Sequence, residues 1–285
     1  MSALHLDNRL VHYENIGRRG QPIIFLHSWL GSWRYWLPTM EHISERYRAF
    51  ALDFWGFGES DQREGTFSLT DYVTMVTRFM DHLGMEKVNL VGHGLGGMVA
   101  IRAASERPDR FWKIMAVNTP LRGDQVHDMQ RGGGSGTFAR LFGRSNPTNI
   151  WAKKVRDMAF DDQNIQREIV EDTENLSEDL VQQVTASIIS TDLRQDLMRL
   201  HTPLLAVYGD KDTIVAQEHT AGLIEDHSGF QQVFTLPKSR HFPFLDQPNI
   251  FNRLLMDYLS IDESNLDQLE IKQEWRRRVS QIEYI

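Results

Sequence analysis

Two four-residue runs, Ile23-Ile24-Phe25-Leu26 and Leu204-Leu205-Ala206-Val207, are apolar at every position. A strand with one wet face alternates, so unbroken runs of this length point to strands covered on both sides, as in a parallel sheet between helices. They lie within longer strand candidates, Pro22–His27 and Leu204–Tyr208. Six more runs rich in β-branched and aromatic residues join them: Leu4–Leu6, Leu10–Asn15, Arg48–Phe54, Val88–Gly92, Trp112–Val117 and Gln232–Leu236. The first two of these six alternate with polar residues and fit a half-exposed antiparallel pair. Helical periodicity fills most of the intervals, the α/β pattern of an eight-stranded, mostly parallel sheet with helices on both faces. The clearest helix start is Ser68, with Asp71 as an acidic capping box and Tyr72, Met75, Val76, Phe79 and Leu83 at helical spacing.

Composition narrows the function classes. With 285 residues the chain can bury a large core unaided, and with no cysteine it has neither thiol catalysis nor a disulfide frame. A balance of 31 basic against 39 acidic residues argues against a nucleic-acid partner, whose binding rests on neutralised phosphates. No run of about 18 apolar residues suggests a membrane span, and MSALHLDNRL lacks the form of a secretory signal. A cytoplasmic protein with a small-molecule ligand is expected. No His-x-x-x-His pair suggests a metal, and no cofactor is expected.

The strand rhythm stops between about Leu121 and Leu200, where a glycine-rich segment, Arg131-Gly-Gly-Gly-Ser-Gly136, precedes amphipathic helices. No Gly-Lys-Ser/Thr comes after it, so it makes no phosphate cradle. The expected organisation is a core of residues 1–120 and 201–260, an inserted helical cap at 121–200, and a C-terminal helical extension at 261–285. In that extension Leu269, Trp275, Val279 and Ile282 share a face beside Arg276, Arg277 and Arg278. It would pack on the domain or on a second subunit, as in a homodimer, or offer a basic docking patch.

The most informative segment is Val88–Ala100, a strand running through Gly92-His93-Gly94-Leu95-Gly96-Gly97 into a helix. Gly92, Gly94 and Gly97 spell G-x-G-x-x-G, the dinucleotide pattern in which backbone N–H groups cradle a pyrophosphate. That fingerprint requires an acid at the end of the next strand, and Ala116-Val117-Asn118-Thr119-Pro120 has none. The alternative is the nucleophile elbow, G-x-S-x-G, with Gly94 where the serine would stand.

Four further segments favour the elbow: Leu26-His27-Ser28-Trp29-Leu30-Gly31-Ser32, Asp53-Phe54-Trp55-Gly56-Phe57-Gly58-Glu59-Ser60, Tyr208-Gly209-Asp210-Lys211-Asp212, and Arg240-His241-Phe242-Pro243. With them the chain resembles a capped α/β-hydrolase of the serine-hydrolase type over about residues 3 to 260. The resemblance implies a nucleophile, acid, histidine order at Gly94, Asp212 and His241. It implies an oxyanion hole from the Trp29 and Leu95 backbone N–H groups. It places glycine where this chain has Ser28. It makes Asp53 mainly structural. Asp210 reads as a solvated turn carboxylate, with the triad acid as its alternative, and His27 as a hydrogen-bonded loop histidine. The expected substrate-binding residues are Ser28, His93, Phe138, Phe142, Trp151 and Phe242, with His93 also read as packing in the elbow.

Trp29, Trp33, Trp36, Phe54, Trp55, Phe242 and Phe244 flank these motifs, and Phe138, Leu141, Phe142, Trp151, Met158 and Phe160 fall in the inserted segment. Walls of this kind would favour an apolar or aromatic ligand. Glycine at position 94 leaves three readings open. The chain is a hydrolase whose serine was removed, in which case Gly94→Ser should restore esterase activity. Alternatively, Asp212 and His241 activate a water, or the protein binds a ligand without chemistry. Glycine suits all three, since it accepts the strained torsions of such a turn.

Overall fold

The computed structural model describes residues 2–62, 65–126, 147–157, 163–174, 176–215, 222–223 and 230–271. Its strands are β1 (Ser2–Leu6), β2 (Arg9–Ile16), β3 (Pro22–Leu26), β4 (Arg48–Leu52), β5 (Val88–His93), β6 (Phe111–Val117), β7 (Leu204–Gly209) and β8 (Gln231–Leu236). They form one sheet in the order β1-β2-β4-β3-β5-β6-β7-β8. β2 runs antiparallel to β1 and β4, and every other pairing is parallel. All eight expected strands are present, with ends shifted by at most two residues. β3 and β7, which contain the two unbroken apolar runs, are buried at every position.

Helices α1 (Leu37–Ile43), α2 (Leu69–His82) and α3 (Leu95–Glu106) connect the early strands, and α4 (Pro147–Asp157), α5 (Gln163–Glu171), α6 (Glu178–Ser190) and α7 (Arg194–Arg199) lie between β6 and β7. Two more, α8 (Pro243–Asp246) and α9 (Pro248–Ser260), come after β8. The Ser68 capping box forms as read, with Ser68 and Asp71 satisfying each other's backbone N–H. This closes two of the donors a helix start leaves open. α9 is stopped by a cation: Lys113, on β6 and buried, donates from Nζ to the carbonyls of Tyr258 (2.8 Å), Leu259 (3.2 Å) and Ile261. A lysine there satisfies carbonyls the helix cannot and meets the negative end of its dipole.

Past α9, the described part of the expected C-terminal helical extension is not an α-helix. Glu263–Gln268 is a 3-10 segment broken at Asn265, and Trp275, Val279 and Ile282 lie outside the described residues. No helix among the described residues is long and apolar enough to cross a membrane.

The chain order reverses between β3 and β5, since β3 is followed by a strand on one side and β5 by a strand on the other. In open parallel sheets, ligands bind outside the carboxyl ends of strands at such a point. Leu26 at the end of β3 pairs with Gly92 on β5. Two residues further along each chain come Ser28 and Gly94, and the register brings them to the same place.

Candidate active site

β5 ends at His93 and α3 begins at Leu95, so Gly94 alone makes the turn, with φ +50° and ψ −111°. Its N–H donates to the Val117 carbonyl at 2.9 Å, and its carbonyl accepts from the N–H groups of Gly97 and Met98, both at 3.1 Å. A side chain is strained at such torsions, and glycine is not. Close packing accounts for Gly96 as well. A Cβ there would lie 2.3 Å from the Leu26 carbonyl oxygen and 2.7 Å from that of His27, so the first turn of α3 rests on the end of β3. Of the fingerprint glycines, Gly92 packs against the Gly96 carbonyl and Gly97 against the Thr119 side chain, so close packing accounts for both without a bound pyrophosphate.

Asp212 and His241, from the turns after β7 and β8, meet as the resemblance implies. His241 Nδ1–H donates to Asp212 Oδ2 at 3.0 Å, and both side chains are almost sealed from solvent. The other carboxylate oxygen, Oδ1, accepts from the Ile214 N–H at 2.8 Å, and Asn118 Nδ2 also donates to Oδ2. Burial would push the Asp212 carboxyl up, but the His241 charge and hydrogen bond, with those two donors, outweigh it and hold the carboxyl below its usual 3.8. Asp210 is exposed, as expected of a turn carboxylate. Asn118 was missed in the sequence. It also donates to the Arg240 carbonyl at 3.2 Å and accepts from the Gly209 N–H at 3.3 Å, tying the ends of β6, β7 and β8 together. Its φ of +42° at a strand end leaves no pattern to read in advance.

A hydrogen-bonded chain runs beneath these residues. The Ser28 N–H donates to the Tyr35 hydroxyl at 2.5 Å, that hydroxyl donates to His93 Nδ1 at 3.3 Å, and His93 Nε2–H donates to the His241 carbonyl at 2.8 Å. His93 is fully buried, and burial followed by repulsion from His241 holds it neutral, well below 6.5. Both its nitrogens are used inside the protein, so the structure places this expected substrate-binding residue under the site, as a strut joining the β3 loop to the His241 turn. Phe242, also expected to touch substrate, is 1 % exposed and packs against Tyr35, His93 and Phe244. Phe138 and Phe142 lie outside the described residues, as do Leu141, Met158 and Phe160.

The β3 loop is held equally firmly. His27 Nδ1–H donates to the Ser28 carbonyl at 2.8 Å, and His27 Nε2 accepts the Phe54 N–H at 2.9 Å. Burial outweighs the pull of Asp53 and lowers the His27 pKa, as this neutral tautomer requires. The Ser28 side chain points to the elbow: a Cβ on Gly94 would lie 2.1 Å from Ser28 Oγ and 3.0 Å from Ser28 Cβ. The hydroxyl therefore fills volume that a side chain at position 94 would need, and Ser28 would have to shift to admit one. Neither the Trp29 nor the Leu95 backbone N–H donates to another described residue.

Trp151, on α4, forms a wall over this point. Its ring meets those of Trp29 at 5.7 Å and His241 at 5.8 Å, both edge to face, and that of Phe242 at 6.2 Å. The indole N–H groups of Trp29 and Trp151 are buried without a hydrogen-bond partner among the described residues. Of the other flanking aromatics, Trp36, Phe54 and Phe244 are fully buried core and Trp55 nearly so.

Asp53 is structural in its contacts. Its carboxylate accepts from the backbone N–H groups of Trp33 (2.8 Å) and Glu59 (3.0 Å) and from His12 Nδ1 (2.8 Å), fastening the turn after β4. Among the described residues no group of three or more His, Asp or Glu side chains is placed to hold a metal.

Comparison with known proteins agrees with this fold. The family model described as alpha/beta hydrolase fold matches residues 21–248. The chain belongs to that family. A relative that aligns along most of its length is a 2-hydroxy-6-oxo-6-phenylhexa-2,4-dienoate hydrolase of Comamonas testosteroni, 24 % identical over 91 % of this chain and 94 % of that one. A dihydrolipoyllysine-residue acetyltransferase component of an acetoin cleaving system, from Cupriavidus necator, is 32 % identical over 43 % of this chain, and the match spans only 33 % of that protein. Among solved structures, the enol-lactonase from Burkholderia xenovorans LB400 superposes with a TM-score of 0.77 at 19 % identity, over 91 % of this chain and 100 % of that one. Ser28 and Gly94 lie against one another in this fold.

Proposed function

We propose that the protein is a hydrolase of a small apolar or aromatic molecule, cleaving an ester or a related C–O, C–N or C–C bond. The observation that carries this reading is the Asp212–His241 pair at 3.0 Å, at the strand ends beside the turn at Gly94. A carboxylate on Nδ1 fixes the tautomer that leaves Nε2 to take a proton from an attacking hydroxyl and stabilises the imidazolium that forms. The Trp29 and Leu95 amides act as the donors for the developing oxyanion. Preorganised backbone donors of that kind are often the largest single contribution to acyl transfer. The segment at 121–200 serves as the cap, and its Trp151 supplies an aromatic wall that rewards burial of an apolar group. Hydrolase activity in full-length relatives adds to this reading without naming the substrate.

The bare Gly94 favours a second reading, in which the pocket binds a ligand and the chemistry is gone. Turnover separates the two. Short aryl esters should be hydrolysed by the native protein, and His241→Ala should remove that hydrolysis while the melting temperature stays within a few degrees. A small aromatic ligand that raises the melting temperature, with no turnover of any ester, lactone or vinylogous diketone, would establish the binding protein instead.

A further inference from the structure

We propose that the nucleophile is the Ser28 hydroxyl, supplied from the loop after β3 to the slot that the elbow leaves empty at Gly94; this rests on the hydrolase reading above. Three observations carry it. Ser28 Oγ occupies the volume of a residue-94 side chain, 2.1 Å from where its Cβ would be. The parallel register between β3 and β5, with Leu26 opposite Gly92, brings the two positions together.

Second, the Ser28 backbone is fixed at both ends while its side chain is free. Its N–H is held by Tyr35, and its carbonyl by His27 and the Gly31 N–H. The Oγ makes no hydrogen bond to a described residue. Third, the same description holds for His241 Nε2, whose ring partner Nδ1 is committed to Asp212. The Ser28 backbone N–H and the His241 backbone carbonyl are joined through Tyr35 and His93, which fixes the two main-chain segments relative to one another. Ser28 Oγ and His241 Nε2 are not hydrogen-bonded to each other here, and such contacts commonly tighten only with substrate bound.

The reaction balances with water as the sole co-reactant. His241 Nε2 takes the Ser28 hydroxyl proton as Oγ bonds to the substrate carbonyl carbon. The bond to the leaving oxygen then breaks, and His241 returns the proton to that oxygen. Water next gives a proton to His241 and its oxygen to the acyl carbon. The Oγ–acyl bond breaks, and Oγ regains its proton from His241.

The test is active-site labelling of the native full chain with a fluorophosphonate, followed by peptide mass mapping, beside hydrolysis of short aryl esters. The expected result is an adduct on Ser28 that His241→Ala abolishes. Loss of turnover in Ser28→Ala should approach the roughly millionfold cost of removing a triad serine. The paired variant Ser28→Gly/Gly94→Ser should move the adduct to position 94. Labelling needs no variant, so a misfolded Ser28→Ala does not block the test.

Turnover that survives Ser28→Ala but not His241→Ala would keep the hydrolase and overturn Ser28, pointing to an activated water. Esterase activity confined to the paired variant would overturn Ser28 in the same way, since the framework would then work only with its hydroxyl at 94. Neither turnover nor adduct in either protein would remove the hydrolase reading itself.

Discussion

Two buried Asp–His pairs among the described residues have almost the same Nδ1–carboxylate distance, and their surroundings differ. At one end of the sheet His12 Nδ1 lies 2.8 Å from Asp53, and beyond the opposite strands His241 Nδ1 lies 3.0 Å from Asp212. In both, the carboxylate is sealed and also accepts backbone N–H groups. The difference is at the other ring nitrogen. His12 Nε2 is enclosed, 3.5 Å from Glu14 and 3.7 Å from Glu59. The His241 side chain is as little exposed as that of His12, but its Nε2 has no ion pair to a second described carboxylate and its ring lies next to that of Trp151. A carboxylate–imidazole pair is therefore not in itself a site: it becomes one where the second nitrogen can reach a reacting atom, and otherwise it fastens a turn.

The largest effect expected from breaking this comparison is on turnover. Asp212→Asn should lower kcat on an aryl ester about ten-thousandfold with KM little changed, because the imidazole loses the partner that sets its tautomer. Asp53→Asn should leave the chemistry in place in whatever fraction of the protein is folded. Equal loss of kcat in both variants at equal melting temperature would erase the distinction.

Next in size is stability. Asp53→Ala strands the Trp33 and Glu59 N–H groups and His12 in the interior, and should cost about 3–5 kcal/mol in urea denaturation, as breaking a buried charged cluster does. A loss under about 1 kcal/mol would show that the turn after β4 does not depend on this clamp.

The smallest effect is in pH. Burial lowers the His12 pKa, but Asp53, through hydrogen bond and charge, with Glu59 and Glu14, raises it above 6.5 overall. A raised folded value contributes stability that is complete below 6.5 and is lost as pH rises through the folded pKa. The Asp212 carboxyl, held below 3.8, works in the opposite sense, giving stability above that value that is lost as pH falls. Unfolding free energy measured from pH 6 to 9 should fall less steeply in His12→Gln than in the native chain. Parallel curves would show that His12 carries no extra proton in the folded state.

Much of the architecture was legible because it depends on local signals. Unbroken apolarity in Ile23–Leu26 and Leu204–Val207 marked strands buried on both sides, and Ser68 with Asp71 marked a helix start. The glycine pattern around Gly94 and the order of Asp212 and His241 marked the candidate site through the family they resemble. His12 and Asn118 carried no such signal, since each acts by reaching a distant turn. His93 was ambiguous for a related reason: its place in the motif is readable, but whether its ring faces a ligand or Tyr35 depends on what packs beneath it.

The sequence alone determined which segments become strands, where the helix after Ser68 starts, and which residue types end the strands, because periodicity and turn chemistry act over a few residues. Only the tertiary structure decided that Ser28 fills the space over Gly94, that His93 braces the β3 loop against the His241 turn, and that two similar Asp–His pairs have unlike surroundings. Those outcomes come from strand register and close packing between segments far apart in the chain, where a shift of one residue would turn each side chain to the opposite face.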